Sequence, residues 1–142
     1  MSYEILLASR SPRRRALMNE LGVPFRVVEA GHASEDYPSS LTGGEIARYL
    51  ADLKSDAFTE PIKEKQILLT ADTIVWHREK EIGKPASRDE AIAMISSLSG
   101  NTHQVFTGVC LRSAMKRTSF FAVTDVTFSR LDQDETEAYV DK

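Results

Sequence analysis

The sequence predicts an α/β fold in which helices flank a mixed β-sheet. Up to Gly100, apolar runs typical of buried strands alternate with segments whose apolar residues recur at helical spacing. Two further apolar segments, residues 102–111 and 119–131, are separated only by a short connection from Arg112 to Arg117. Alternation with helices favours parallel strand pairs, whereas directly consecutive strands favour antiparallel pairs, so the pattern as a whole indicates a mixed sheet.

The first elements are a strand, a tight turn and a helix. Ser11 is a suitable N-cap, and Pro12 follows at the first helical position, where its missing N–H costs nothing. Leu17 and Leu21 predict the buried face of this helix, and Gly22 is a suitable residue to end it. The flanking segments are predicted as strands over residues 3–8 and 23–28, and as an exposed loop over residues 29–40.

Two amphipathic helices are predicted from capping boxes and spacing. Thr42 and Glu45 fit one box, and Ser87 and Glu90 fit another. The apolar positions that follow them are Ile46, Tyr49, Leu50, Leu53 and Ala57 in the first helix, which Pro61 closes, and Ala91, Ile92, Ile95 and Leu98 in the second, which Gly100 ends.

The remaining segments complete the predicted sheet. Residues 67–76 form the most apolar run and predict a central strand. Residues 78–85, with Gly83 and Pro85, predict a turn, and Asp132 with Glu135 predicts the start of a last helix.

Composition and charge exclude several classes of protein. The 142 residues are 42% hydrophobic with a net charge of −3, so no overall attraction to nucleic acid or anionic membranes is expected. No apolar run approaches the roughly 20 residues of a membrane span, and the N-terminal residues lack the basic region of a signal peptide. Cys110 is the single cysteine, which excludes an internal disulfide and favours a cytoplasmic location.

An arginine cluster follows the Ser11-Pro12 helix start. Arg13, Arg14 and Arg15 lie where the partial positive charge of a helix N-terminus disfavours cations. A phosphate bound by guanidinium groups, backbone N–H groups and the Ser9 hydroxyl would explain their position. The alternative is a solvated basic turn paired with a surface acid such as Glu20. A nucleic-acid surface is disfavoured because no second basic cluster supports it.

Asp72 interrupts the most apolar segment of the chain, where an unpaired carboxylate is costly to bury. It fits either a strand end that caps a turn or a functional carboxylate at the carboxyl end of a central strand, where α/β sheets place ligands. In the second case it could hold a hard cation or act as a general base on water, with the Thr73 hydroxyl beside it.

Other polar residues are weaker candidates when taken alone. Lys84 could reach a phosphate, Lys54 lies near the edge of an amphipathic stripe, and Glu35 belongs to a polar loop. The histidines show no ligand spacing, which disfavours zinc. Neither the phosphate-binding loop of P-loop NTPases nor a G-x-S-x-G nucleophile elbow is present.

Several blocks of the sequence resemble, in order, the motifs of the Maf family of nucleoside triphosphate pyrophosphatases. They are LLASRSPRRRALMNELGVPFRVV, LTADTIVW, EIGKP, LSGNTHQVFTGVCL and VTDVTFSRL, and together they run over nearly the whole chain. The Ser-Pro-Arg-Arg and Ala-Asp-Thr motifs look like those of the subgroup acting on dTTP and UTP rather than the sister subgroup acting on 7-methyl-GTP.

The resemblance implies a fold like that of inosine triphosphate pyrophosphatase, with a nucleotide-binding cleft in a curved mixed β-sheet flanked by helices. It also implies hydrolysis between the α and β phosphates, giving a nucleoside monophosphate and pyrophosphate with the help of Mg²⁺ or Mn²⁺. The roles it implies are Asp72 as proton acceptor, with Lys84, Glu35 and Lys54 as further catalytic residues; Ser9, Arg13, Arg14 and Thr73 in substrate binding; and Asp72 and Glu35 as metal ligands.

The family pattern continues beyond the position of Lys142 with two further sequence blocks. We therefore expect residues 1–142 to form a single Maf-like domain that lacks the family's C-terminal segment. The expected partners are a nucleoside triphosphate and, from the resemblance, a second copy in a homodimer, with neither nucleic acid nor a membrane. The alternative function is a nucleotide-binding regulatory protein that acts in cell-division (septum) arrest without turnover.

Overall fold

The computed structural model describes residues 3–9, 11–29, 31, 35–78, 80–83 and 85–141. The strands in these residues are β1 (Glu4–Leu7), β2 (Phe25–Val27), β3 (Gln66–His77), β4 (Lys80–Ile82), β5 (Thr102–Arg112) and β6 (Arg117–Thr127). The helices are α1 (Pro12–Leu21), α2 (Gly44–Ala57), α3 (Arg88–Leu98) and α4 (Gln133–Val140).

The strands form one mixed sheet in the order β2-β1-β3-β5-β6, with β4 pairing to β3 off this path. β1 is parallel to both β2 and β3, and β4 is antiparallel to β3. β5 and β6 are consecutive neighbours, and the Ser113 N–H donates to the Lys116 carbonyl between them. The predicted mixed α/β fold is confirmed.

Close contacts group the chain into two units. Unit 1 contains Met1–Thr73 and Thr107–Ala122, and unit 2 contains Ile74–Phe106 and Val123–Lys142. Strands β3, β5 and β6 each contribute residues to both units. That the chain is a single domain stays a prediction.

The core of unit 1 packs the parallel strands against the C-terminal end of α2. A buried cluster contains Leu6, Ala8, Phe58 and Leu68, with Val28 and Ile62 packed against it. Along α2, the predicted apolar residues Ile46 and Leu50 are buried, as are Ala47 and Ala51, which were not predicted. Tyr49, Leu53 and Ala57, predicted for the same face, are half-buried, so the buried face is shifted around the helix toward the alanines. The Thr70 hydroxyl donates to the Ala51 carbonyl at 2.8 Å and fixes the helix against β3.

The start of α2 differs from the prediction. The N-cap is Gly43, whose φ is 53°, and no side chain caps the helix. The predicted capping box with Thr42 is wrong because the chain turns through a left-handed conformation at Gly43, which glycine adopts without strain. Thr42 contributes its backbone carbonyl instead, which accepts from the Glu45 N–H at 3.1 Å.

The caps of α1 are as predicted, but its buried face is not. The Ser11 hydroxyl accepts from the Arg14 N–H, and Gly22 ends the helix in a left-handed conformation. Leu17 and Leu21 are exposed, and Met18 is the buried residue. Met18 lies one turn beyond Arg14, and the contacts of Arg14 described below turn this side of the helix inward.

Unit 2 contains the packed helices α3 and α4. Ser87 caps α3 as predicted, but the capping box is incomplete because the Glu90 carboxylate accepts from the Ala86 N–H instead of the Ser87 N–H. Asp132 and Glu135 form the predicted capping box of α4. The Arg88 guanidinium binds Asp141 through two hydrogen bonds of 2.7 and 2.9 Å. The segment predicted as a turn contains β4, because Val75 pairs with Ile82 and the chain reverses at Arg78, whose φ is 52°.

Two histidines are buried in unit 2. His77 and His103 are 7% and 6% exposed, and the buried His77 Nε2 and His103 Nδ1 atoms have no partner among the described residues. The His103 ring lies 5.5 Å from the Phe128 ring, which meets Tyr139 edge-on. No helix in the described part of the chain is both long and apolar enough to cross a membrane.

Candidate active site

The candidate site lies where the parallel pairing of β1 with β3 ends. The last register pair is Leu7 with Leu69, and the Ala8 N–H still donates to the Leu69 carbonyl. β3 continues through Asp72 to His77. The expectation that Asp72 ends its strand is therefore wrong: it is β1 that ends, and Asp72 lies on β3 just beyond that point.

Lys54 of α2 engages the Asp72 carboxylate. Its Nζ atom donates to Asp72 Oδ1 at 2.9 Å and to the Ala71 carbonyl at 3.1 Å. The two side chains are 31% and 20% exposed, so the pair is partly screened from solvent. The charge of the carboxylate within the apolar strand is thus compensated, and one of its oxygens has a fixed position.

Arg14 is held by two hydroxyl groups rather than by an acid. Its Nη1 donates to Ser9 Oγ at 3.2 Å, and its Nη2 donates to Thr73 Oγ1 at 3.1 Å. None of the ion pairs among the described residues includes Arg14. Both acceptors are neutral, so they orient the guanidinium and leave its positive charge available to an anion.

The turn between β1 and α1 uses much of its own hydrogen-bonding capacity. The Ser11 N–H donates to Ser9 Oγ at 3.2 Å, and the Arg14 N–H donates to Ser11 Oγ at 3.3 Å. Ser9 therefore positions both the turn and the Arg14 guanidinium. Arg13 and Arg15 are exposed. An anion at this turn would meet guanidinium groups more than free backbone donors.

Thr107 of β5 belongs to the same set of contacts and was not predicted from the sequence. Its hydroxyl lies 3.4 Å from that of Thr73, and either atom can be the donor. A Cβ atom at the neighbouring Gly108 would collide with the Ala47 carbonyl, so glycine lets β5 approach α2 closely. A Thr-Gly pair within a strand pattern is the only sequence signal that points to this place.

Arg112 of β5 anchors the C-terminal end of α2 and was also not predicted. Its Nε donates to Ser55 Oγ at 3.0 Å, and its Nη2 donates to the carbonyls of Ser55 and Phe58 at 2.8 and 2.9 Å. These bonds satisfy carbonyls that a helix end leaves without partners. Because Ser55 follows Lys54, they also fix the turn that carries the lysine.

Cys110 lies between Gly108 and Arg112 on β5 and is completely buried. Burial raises the pKa of its thiol. A buried thiol with this shift favours the unreactive protonated form, so Cys110 packs as a small apolar side chain.

Two of the predicted site residues, Arg13 and Glu35, are exposed. No hydrogen bond or ion pair among the described residues connects either of them to this cluster. Lys84 lies outside the described residues. No group of three or more acidic, histidine or cysteine side chains in the described part of the chain is arranged to hold a metal ion. The predicted metal ligands Asp72 and Glu35 thus stay a prediction.

Comparisons with known proteins identify the family of this chain. The family described as "Maf-like protein" matches residues 4–142. A protein of Bacteroides fragilis named dTTP/UTP pyrophosphatase is 50% identical over 98% of this chain and 72% of its own length. A protein of the same name from Bacteroides thetaiotaomicron is 47% identical over 99% and 72%.

Solved structures support the fold. The Staphylococcus aureus Ham1 protein has a TM-score of 0.54 at 17% identity, over 86% of this chain and 70% of that chain. A HAM1 protein from Coxiella burnetii has the same TM-score at 16% identity, over 91% and 74%. At this identity the solved structures support the fold alone. The family match and the relatives show the classification: the chain belongs to the Maf family.

Proposed function

We propose that this protein hydrolyses dTTP and UTP to the nucleoside monophosphate and pyrophosphate. Relatives that share half of its residues over nearly its whole length carry the name of this activity. The single structural observation that supports it is the joint presence, at the end of β1, of an oriented carboxylate and a guanidinium held only by hydroxyls.

The triphosphate would bind first at the start of α1. The guanidinium of Arg14 has N–H donors beyond those directed to Ser9 and Thr73, and its planar fork suits phosphate oxygens. The exposed Arg13 adds a second positive charge on the same turn. This explains why three arginines follow a helix start that would otherwise repel them.

The Asp72 carboxylate would then act as proton acceptor. A water molecule hydrogen-bonded to it attacks the α phosphorus, Asp72 takes the proton, and the bond from that phosphorus to the bridging oxygen breaks. Pyrophosphate leaves with the bonding electron pair. Lys54 holds Asp72 Oδ1, and an ammonium at this place also opposes the negative charge that develops on the phosphate oxygens.

The donors present suit a cation that arrives with its substrate. Asp72 offers one carboxylate beside a hydroxyl-bearing neighbour, and Mg²⁺ is commonly bound by one or two carboxylates together with substrate phosphates and water. We therefore propose Mg²⁺ or Mn²⁺ as the cofactor, with Asp72 and Glu35 as ligands. Such an ion would supply charge stabilisation at the phosphates. Lys84 is proposed as a further phosphate contact.

Location and assembly are further proposals. The single cysteine supports a reducing, cytoplasmic location. The family resemblance suggests a homodimer, which light scattering of the purified protein would test.

The test of the proposed function is pyrophosphate release from a panel of nucleoside triphosphates with Mg²⁺ or Mn²⁺. We expect turnover of dTTP and UTP well above that of purine nucleotides. Asp72→Asn keeps the size of the side chain but removes the proton acceptor, so kcat should fall by about 10²–10⁴-fold. The matched control is Asp134→Asn, which changes an exposed carboxylate in the first turn of α4 and should retain full activity.

Two results would contradict the proposal. Equal activity of Asp72→Asn and the parent protein would remove Asp72 from the chemistry. Tight binding of dTTP without release of pyrophosphate, by both the parent and Asp72→Asn, would favour the nucleotide-binding regulatory protein instead.

A further inference from the structure

We propose that Thr107 is a positioning residue of this site, which directs the Thr73 hydroxyl so that it donates to an acceptor oxygen of the bound nucleotide. The inference rests on the proposed function and adds to it a residue of β5. The acceptor is an oxygen of the substrate, either on a phosphate or on the C4 carbonyl group, which thymine and uracil share and cytosine lacks.

The hydroxyl of Thr73 has a limited capacity for hydrogen bonds. Thr73 Oγ1 has one hydrogen to donate and two lone pairs that accept. Arg14 Nη2 occupies one lone pair at 3.1 Å. The hydrogen and the second lone pair remain, and Thr107 Oγ1, at 3.4 Å, can engage either of them.

The direction of the hydrogen bond between Thr73 and Thr107 determines what Thr73 offers to a ligand. If Thr73 donates to Thr107, its hydrogen is consumed and it presents only a lone pair, which repels an acceptor oxygen. If Thr107 donates to Thr73, both lone pairs of Thr73 are used and its hydrogen points elsewhere. An incoming acceptor oxygen therefore selects the second direction, in which Arg14 and Thr107 both donate to Thr73.

The backbone around Thr107 supports a fixed position. The next residue, Gly108, lies directly against the Ala47 carbonyl, where no Cβ atom fits. Further along the same strand, Arg112 binds Ser55 and Phe58. β5 is thus held against α2 on both sides of Cys110, and the Thr107 hydroxyl cannot move far from Thr73 without breaking these contacts.

Thr107→Val and Thr107→Ser form a matched pair for the test. Valine keeps the branched shape suited to a strand but removes the hydroxyl, whereas serine keeps the hydroxyl. We expect Thr107→Val to raise KM for dTTP about three- to tenfold with kcat within twofold of the parent. Thr107→Ser should stay within twofold on both constants.

A double-variant cycle separates positioning from general damage. In a Thr73→Val background, Thr107→Val should have no further effect on KM, because the hydroxyl it positions is gone. Additive effects of the two substitutions would overturn the proposal. An equal loss in Thr107→Ser and Thr107→Val would overturn it as well, since packing rather than the hydroxyl would then matter.

The substrate panel identifies the acceptor oxygen. If it is a phosphate oxygen, Thr107→Val weakens all nucleoside triphosphates equally and also weakens inhibition by inorganic tripolyphosphate. If it is a base carbonyl, Thr107→Val lowers the preference for UTP over CTP and leaves tripolyphosphate inhibition unchanged. Both results support the proposed donor, whereas unchanged KM for every substrate overturns it.

Failure of the proposed function would remain distinguishable. The dissociation constant of dTTP, measured by calorimetry in the Asp72→Asn background without turnover, should rise on addition of Thr107→Val by the same three- to tenfold factor. A protein that never releases pyrophosphate but shows this rise refutes the activity and keeps the positioning role. An unchanged dissociation constant refutes the positioning role alone.

Discussion

Asp72 and Thr73 are adjacent in the chain but have different partners. Successive residues of a strand point to opposite sides, so Asp72 meets Lys54 of α2 and Thr73 meets Arg14 of α1. Both remain reachable because β1 ends at Leu7. A ligand at this end of β1 could contact the carboxylate and the guanidinium together.

The prediction at the residue scale concerns Arg14. Arg14→Lys keeps the charge, but a single ammonium cannot replace a planar fork that bridges Ser9 and Thr73. We expect KM for dTTP to rise about tenfold and kcat to change less, as measured by initial rates of pyrophosphate release. The control is Arg15→Lys on the exposed side of α1, and an equal effect of both substitutions would exclude a special role for Arg14.

At this scale the sequence identified single polar residues better than the contacts between distant parts of the chain. Ser9, Arg14, Lys54, Asp72 and Thr73 were all predicted, and the structure brings them together in two hydrogen-bonded groups. Neither Thr107 nor Arg112 was predicted. A threonine in a strand and an arginine at a strand end are ordinary on local grounds, and only their neighbours in space reveal what they do.

At the scale of elements, α2 depends on β5 for its position. Close approach at Gly108 fixes the N-terminal half of the helix, and Arg112 fixes its end. Lys54 lies between these two anchors. The catalytic lysine proposed here is therefore positioned by a strand that carries none of the acidic or basic residues assigned to the chemistry.

Arg112 gives the prediction that belongs to this scale. Arg112→Lys should lower the free energy of unfolding by about 1–3 kcal/mol, because partly buried acceptors at Ser55 and Phe58 lose their donors. Urea denaturation measures it. Arg117→Lys is the control, since it weakens a pair with the exposed Asp56 that is worth at most about 1 kcal/mol. An equal loss in both variants would contradict the anchoring role.

Helices and strands were predicted well where apolar spacing and capping residues agree. They were predicted poorly where the backbone conformation, strand pairing or a polar contact determines the element. The missed start of α2 follows from the left-handed turn at Gly43. β4 was missed because three residues give no periodic signal, and only pairing with β3 defines the strand. Leu17 and Leu21 suggested the wrong face of α1 because polar contacts of Arg14, rather than apolar area alone, orient that helix.

On the scale of the whole molecule, the type of sheet could be predicted from the sequence. The mixed sheet followed from alternation and adjacency of elements, and both the fold and the family are confirmed. The grouping of the chain into two units was not foreseen, since three strands contribute to both and no change in composition marks a boundary.

A buried histidine in unit 2 predicts that the folded protein is less stable in acid. Burial and the neighbouring His77 lower the pKa of His103 below its ordinary 6.5. Below pH 6.5 the unfolded chain binds a proton that the folded chain resists, so stability falls as the pH drops from 6.5 toward the folded-state pKa. We expect the Tm to drop by a few degrees between pH 7.5 and pH 5.5 in thermal unfolding.

His103→Phe is the matched variant for this prediction. Phenylalanine keeps a ring beside Phe128 but cannot be protonated, so the decrease in Tm over this pH range should shrink. Asp141 stabilises the fold over a different pH range. The Arg88 guanidinium lowers the pKa of the Asp141 carboxyl below 3.8, so the stability that this pair contributes is lost only in stronger acid. An identical pH dependence in the parent and His103→Phe would exclude His103 as the source.

The burial of Cys110 has a practical consequence. It is the chain's single sulfhydryl, and it lies on β5 between the two anchors of α2. A maleimide or an alkylating reagent can therefore reach it only after strand and helix have separated. The rate at which Cys110 is modified under native conditions therefore measures how often the contact between β5 and α2 opens, and no label has to be introduced.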